Sequence, residues 1–385
     1  GLGDVYKRQG RTAPRQAAPV DPLICRTFWP SAGPRDQLLD PAPASEAVVL
    51  PDIPRPERTT PQISGVTRER FFHEIVPAAR PVVLKGLVED WPVIGAARRS
   101  PQAAADHLRG FDIGRQVRII SAAPSESGRF FYNETLTGLN FSQRGGAVSE
   151  VLDILLQPSD GSAVAAQAVT APDVLPGFSQ ANPSPLVGDD VPARLWISSA
   201  AVVQTHYDLN DNIACAVAGR RRFILFPPDQ ARNLYVGPLE HTPAGAPVSM
   251  VRLEAPDLER HPRFPDAWAA AEVADLEPGD ALFIPFMWWH HVQSLDRFSV
   301  LANFWWNSAP DHGAMAALIH AVAAIRDLPP GQRQGWAGLF DALVFDAETP
   351  PGRHLPPERR GVQGALDEAG RRRLRDMLMR TLSQT

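Results

Sequence analysis

The chain has 385 residues, enough for one large domain or two smaller ones, and sets 38 Lys and Arg against 43 Asp and Glu for a formal net charge of -5. That balance gives no global basic field for nucleic acid or an anionic membrane, so a small-molecule, peptide or protein substrate is expected. No stretch of about 18 apolar residues occurs and no charged flank precedes an apolar core at the start; neither a membrane span nor a signal peptide is read, and a cytoplasmic location is expected. Two cysteines, Cys25 and Cys215, make no disulfide framework.

Residues 1–60 are rich in Pro, Ala, Arg and Asp without a sustained period, which predicts a disordered lead-in. The opening Gly1-Leu2-Gly3-Asp4 lacks an initiator methionine and reads as an assembly remnant. A globular portion is expected over 61–308. It begins with a short helix at Thr67 to Phe72 and an apolar strand at Arg80 to Gly86. Strands are predicted at Gln116 to Ile120, Arg129 to Tyr132 and Ala163 to Val169, with a helix at Ala147 to Gln157. Further strands are predicted at Arg194 to Ile197, Val202 to Asp208, Ile213 to Val217, Arg221 to Phe226, Val248 to Leu253, Ala281 to Val292 and Ser299 to Trp306. Many short strands divided by Gly, Pro and Asp turns predict a mainly β protein with flanking helices, a barrel or jelly roll. Over 309–385, Met315, Leu318, Ile319, Val322 and Ile325 share a helical face, as do Leu374, Met377, Leu378 and Leu382; helices separated by a Pro-rich break close the chain.

The candidate chemistry centres on His206-Tyr207-Asp208. Residues two apart on a strand face the same way, so His206 and Asp208 present an imidazole and a carboxylate together, and His290 can add a second imidazole. Two neutral imidazoles and one carboxylate form a facial triad suited to non-haem Fe(II) and oxygen chemistry. After Gly219, period two puts Arg221 on the face of Phe223 and Leu225, where a guanidinium needs an anion such as a dicarboxylate. An isolated Gly-Arg-Arg-Arg better suits a surface hairpin with three solvated arginines. Asn303 shares a face with Leu301 and Trp305, and Asn212 follows Asp208 by four residues; each can hydrogen-bond a ligand near the metal or be satisfied by backbone. Trp288 and Trp305 are candidate pocket walls or plain core.

These residues resemble the cupin-like JmjC oxygenases, in particular the asparaginyl hydroxylase branch that acts on hypoxia-inducible factor. The likeness covers about Ile63 to Asn307. It runs from Arg80-Pro81-Val82-Val83-Leu84-Lys85-Gly86 and Asp90-Trp91-Pro92, through His206-Tyr207-Asp208 and Gly219-Arg220-Arg221-Arg222-Phe223, to Pro278-Gly279-Asp280, Trp288-Trp289-His290 and Asn303-Phe304-Trp305. The resemblance implies a double-stranded β-helix binding Fe(II) through His206, Asp208 and His290, with 2-oxoglutarate as cosubstrate. It implies that Arg221 grips the distal carboxylate in place of a lysine, with Asn212 and Asn303 near the metal-proximal end, and that the C-terminal helices form a homodimer. Two positions depart from the pattern: Val203 replaces a Thr, and the strand at Ala163 to Gln167 lacks a Tyr. Those losses keep a non-catalytic cupin-like binding or scaffold protein open as the alternative to a hydroxylase. Demethylation uses the same iron chemistry and ranks below hydroxylation.

Overall fold

The computed structural model describes residues 48–383 apart from 158, 240, 241, 244, 309–312 and 350. Residues 1–47, and with them Cys25 and most of the expected lead-in, lie outside the described residues, as does His241. The described chain divides into two compact units, one ending at Ser308 and one running from Ala309 to Thr385.

Among the described residues, fifteen strands build the first unit. In chain order they are β1 (Arg58–Thr59), β2 (Gln62–Ser64), β3 (Val82–Lys85), β4 (Val117–Ala122), β5 (Arg129–Phe130), β6 (Phe141–Gly146), β7 (Ala163–Thr170) and β8 (Ala193–Ser198). There follow β9 (Ala201–Tyr207), β10 (Asp211–Ala218), β11 (Arg221–Phe226), β12 (Glu272–Leu276), β13 (Ala281–Ile284), β14 (Trp289–Ser294) and β15 (Ser299–Trp306). They form a six-stranded sheet in the order β1-β12-β11-β14-β9-β5 and a nine-stranded sheet in the order β2-β3-β13-β10-β15-β8-β7-β4-β6. This is the expected jelly roll with flanking helices.

Alternation along each strand separates the two faces of the large sheet. On β10, Ile213, Cys215 and Val217 face outward into a core shared with Phe71, Ile94, Leu108 and Leu152 from the covering helices. Burial of that kind pushes the Cys215 thiol well above its usual range, so it packs as a small hydrophobe. Ala214 and Ala216 face inward, where they meet Phe223 and Leu225 of β11, Val292 of β14 and Leu301 of β15. Among the covering helices are Pro92–Arg99 and Pro101–Arg109, which the sequence reading missed. Proline at their first turns and the Ser100 side chain accepting from the Ala103 amide start the second helix immediately after the first.

Four expectations are corrected. Residues 48–60 are not free lead-in, because Ile53 is buried, β1 pairs parallel with β12, and Arg55 pairs with Asp275 at 2.7 Å. Val248 to Leu253 makes only isolated bridges, from Val248 to His206 and from Ser249 to Val236, because the Ser249 and Val251 carbonyls accept from the Gln204 side chain instead of from a strand. Ala255 to Ala270, for which no element is predicted, ends in the helix Phe264–Ala270. The run Ala281 to Val292 is two strands in different sheets, broken at Pro285 to Trp288, where Met287 takes a left-handed φ of 62°.

In the second unit the helices are Ala314–Ile325, Pro330–Phe340 and Glu368–Leu382, with a π turn at Asp341–Phe345. Their apolar residues stay largely exposed, Ile319, Leu339, Phe345 and Leu378 among them.

Candidate active site

β9 and β14 lie side by side with His206 opposite His290, so two positions 84 residues apart in sequence face one another. Asp208 stands just past the end of β9, and ligand atoms of His206, Asp208 and His290 all lie within 4.8 Å of one another. The two imidazole centroids are 4.2 Å apart, and His290 Nε2 is 3.6 Å from Asp208 Oδ2. Both rings are oriented from behind in the same way. His206 Nδ1 contacts the Gln204 carbonyl at 2.8 Å and His290 Nδ1 the Trp288 carbonyl at 2.9 Å. A carbonyl only accepts, so each Nδ1 carries the proton and each Nε2 keeps its lone pair free on the side where the Asp208 carboxylate lies. Burial, and then the neighbouring His206, lower the His290 pKa to about 4, so its ring is neutral near pH 7. Two aimed lone pairs beside a carboxylate are a donor set that fits a divalent ion such as Fe(II).

The corner before His290 is held to the same place. Met287 N donates to the Asp208 carbonyl at 3.0 Å, and Phe286 N donates to Asp211 Oδ1 at 3.0 Å. Left-handed backbone at a non-glycine residue costs roughly 1–3 kcal/mol, and here the hydrogen bonds on either side retain it. Sequence reasoning missed Asp211. Its signal was a second carboxylate three residues beyond Asp208, buried yet with no cation nearby in sequence.

Arg221 settles which reading of Gly-Arg-Arg-Arg applies. Gly219 turns the chain at φ 69°, where an added Cβ would meet the Phe298 carbonyl at 2.6 Å. From that turn, Arg220 pairs with Asp296 and Arg222 with Asp275, each at 2.8 Å, on the outside. Arg221 is 3% exposed and faces the interior. Its Nη2 donates to the Trp196 carbonyl at 3.3 Å, while its Nε is buried without a partner. Burial alone draws its pKa down to about 9; among the described residues no carboxylate offsets it. A guanidinium still protonated near pH 7 and lacking an anion is a site waiting for one.

Asn303 Nδ2 donates to Asn212 Oδ1 at 2.9 Å, leaving Asn303 Oδ1 buried and unpaired. Register places Asn212 opposite Trp305 and Ala214 opposite Asn303, which puts both amides on the inner wall. Trp305 is partly buried, 6.1 Å from Trp196 in a T-shaped pair, with Arg194 5.5 Å over its ring. Trp288 belongs to the interior apolar group, and its Nε1 donates to the Ala79 carbonyl at 3.0 Å. His291 lies on the opposite side of β14 from His290, near Thr205, and is not part of the group.

A shift of register separates His290 opposite His206 from Val292 opposite Val203. The bulge brings Val203 onto the interior side with His206, although the two are an odd number of residues apart. Val203 is therefore an aliphatic wall and supplies no hydroxyl. Gln167 of β7 lines a small cavity with Val203 and His206. Gln204 sits in the bulge, its amide donating to the carbonyls of Ser249 and Val251 at 2.9 and 2.8 Å. Period-two reasoning could not find this residue, since the bulge suspends the period.

Comparison with known proteins decides the family. A profile described as "Cupin-like domain" matches residues 68–312. The chain belongs to the cupin-like domain family. This cupin-like domain is 30% identical to tRNA wybutosine-synthesizing protein 5 of Gallus gallus over 273 residues, 66% of the chain and 79% of the relative. It is 29% identical to lysine-specific demethylase 8 of Danio rerio over 265 residues, 66% of the chain and 59% of the relative. A shorter stretch of 116 residues is 40% identical to lysine-specific demethylase JMJ31 of Arabidopsis thaliana, covering 30% of the chain and 21% of that protein. The cupin-like domain is thus of the JmjC type, a group of oxygenase-like enzymes, and its His-Asp-His group can bind a metal.

Proposed function

We propose that the protein is an Fe(II)- and 2-oxoglutarate-dependent oxygenase that hydroxylates a protein side chain, a peptide or a small molecule. The observation that carries this reading is the buried Arg221 guanidinium without a carboxylate partner, on the inner wall of the same jelly roll as His206, Asp208 and His290. The triad would hold Fe(II), and Arg221 would take the distal carboxylate of 2-oxoglutarate. When bound, these groups would let O2 oxidise 2-oxoglutarate to succinate and CO2, one oxygen atom ending in succinate and the other in a C–H bond of the substrate.

The chain's own residues supply position and environment. The Gln204 and Trp288 carbonyls hold the imidazole protons on Nδ1. Asn212 and Asn303 offer amide donors and one free acceptor on the inner wall. Leu225, Ile284, Val292 and Leu301 keep the wall between the triad and Arg221 apolar, which strengthens charge interactions there. The resemblance read from the sequence motifs favours hydroxylation; the relatives named for lysine demethylation make a methylated amine a second substrate class, and those named for tRNA wybutosine synthesis add a modified tRNA base. A scaffold reading gains from Val203, which has no hydroxyl. The exposed apolar faces of the C-terminal helices fit a second copy of the chain.

A succinate-coupled screen over peptides, metabolites and tRNA, read by mass spectrometry for the gain of one oxygen, tests the proposal. Succinate formation that needs Fe(II) supports an oxygenase. Saturable iron binding with no turnover of 2-oxoglutarate for any substrate supports the scaffold.

A further inference from the structure

The inner wall carries more buried donors than acceptors. Arg221 Nε, Trp196 Nε1 and Trp305 Nε1 are all buried without a partner. A guanidinium and an indole can only donate, so no rearrangement among them satisfies the three. Trp196 packs against the interior apolar group opposite Leu301, and its own carbonyl accepts from Arg221 Nη2, so its indole and the guanidinium belong to one region of the wall. Across the β11–β14 pair, Ser294 stands directly opposite Arg221. Ser198 Oγ donates to Ser294 Oγ at 3.2 Å from the facing sheet, which leaves the Ser294 proton for another acceptor. The ligand that answers this set accepts several hydrogen bonds and donates none, which is the chemistry of a carboxylate.

We infer that the distal carboxylate of the cosubstrate is seated by Arg221 together with the Trp196 indole N–H and the Ser294 hydroxyl, a donor set that stands in for the hydroxyls missing at Val203 and in β7. This inference rests on the reading of the interior as a 2-oxoglutarate pocket. Spacing agrees with it: Arg221 pairs with Ser294 and Leu225 with His290, so the two levels lie four residues apart, about 13 Å along the strands. A metal ion held at the His290 level and a five-carbon diacid extended from it toward Ser294 fill that span together, with the long Arg221 side chain alongside.

The test is a titration of 2-oxoglutarate into the full-length protein loaded with Zn(II), which has no redox chemistry, followed by calorimetry and by tryptophan fluorescence. Wild type is expected to bind saturably with a fluorescence change. Trp196→Phe is expected to bind about tenfold more weakly or worse, the loss of a hydrogen bond to a charged group, and Ser294→Ala severalfold more weakly, both with unchanged Zn(II) affinity. Adding Val203→Thr to Trp196→Phe is expected to restore part of the loss. If Trp196→Phe and Ser294→Ala bind as tightly as wild type, the donor set is wrong while the 2-oxoglutarate reading stands. If wild type shows no saturable binding, that reading falls and this inference with it. Should Trp196→Phe fail to fold, Ser294→Ala alone decides: wild-type affinity overturns the donor set.

Discussion

The two faces of the large sheet are built on opposite rules. Outside, Ile213, Cys215, Val217, Phe283 and Phe304 pack against helices in an uninterrupted apolar core. Inside, Ala214, Leu282 and Leu301 share their wall with Asn212, Asn303 and Trp305, and Arg221 faces them from the other sheet. A buried donor left unpaired costs about 1–3 kcal/mol, and the interior keeps three, the Trp196 and Trp305 indoles on this wall and Arg221 Nε opposite it. The outer face accounts for why the chain folds; the inner one is arranged for something the folded chain alone does not supply.

Substitutions on the two faces should separate stability from binding. The largest effect is expected outside: Leu152→Ala or Phe71→Ala should destabilise the fold by about 2–5 kcal/mol in denaturant titrations while metal affinity, measured without denaturant on the folded protein, stays put. A shift in metal affinity of tenfold or more would blur the distinction between the faces.

Acid should act through the imidazoles. His290 and His291 have pKa values of about 4 and about 3 in the folded chain, against 6.5 when unfolded. The unfolded chain therefore binds more protons below pH 6.5. The stability these rings contribute is complete above 6.5 and is lost as pH falls toward 4, at up to about 1.4 kcal/mol per pH unit for each ring. A metal on His290 keeps the folded chain from taking up protons there, so melting curves between pH 7 and 4.5 should fall more steeply with Zn(II) present than without it. Parallel slopes would argue that His290 does not bind the ion.

Arg221→Met should move stability and binding in opposite directions. Removing a buried charge without a counter-ion should stabilise the ligand-free fold by about 1 kcal/mol, while 2-oxoglutarate affinity drops at least tenfold. Loss of both together would mean that Arg221 is a structural element. The smallest effect belongs to the outside neighbours: Arg220→Ala and Arg222→Ala break exposed or half-exposed pairs and should cost less than about 1 kcal/mol, with ligand binding unchanged.

Much of this contrast could be read from the amino-acid order, because it rests on period two. Alternation sends Arg221 inward and its two neighbours outward, and it sets His206 and Asp208 on one side. What could not be read is where the period fails. Ala281 to Ile284 and Trp289 to Ser294 form one apolar run in the sequence, yet Pro285 and the left-handed Met287 pass the chain from one sheet to the other. The bulge beside His206 likewise brings Val203 inside and frees Gln204 to grip Ser249 and Val251. Residues 48–60 have the composition of a free tail and are held by pairing with β12, a contact that no local pattern announces. Trp196 and Ser294 escaped notice because a tryptophan and a serine in strands are ordinary until their partners can be counted.

The most direct test of the oxygenase reading is anaerobic mixing of the protein with Fe(II) and 2-oxoglutarate, recorded in the visible region. A weak absorption band characteristic of an iron and 2-oxo acid chelate is expected in wild type and should vanish in Asp208→Ala. Its absence from wild type, or its persistence in Asp208→Ala, would contradict the assignment of His206, Asp208 and His290 as the metal site of a 2-oxoglutarate oxygenase.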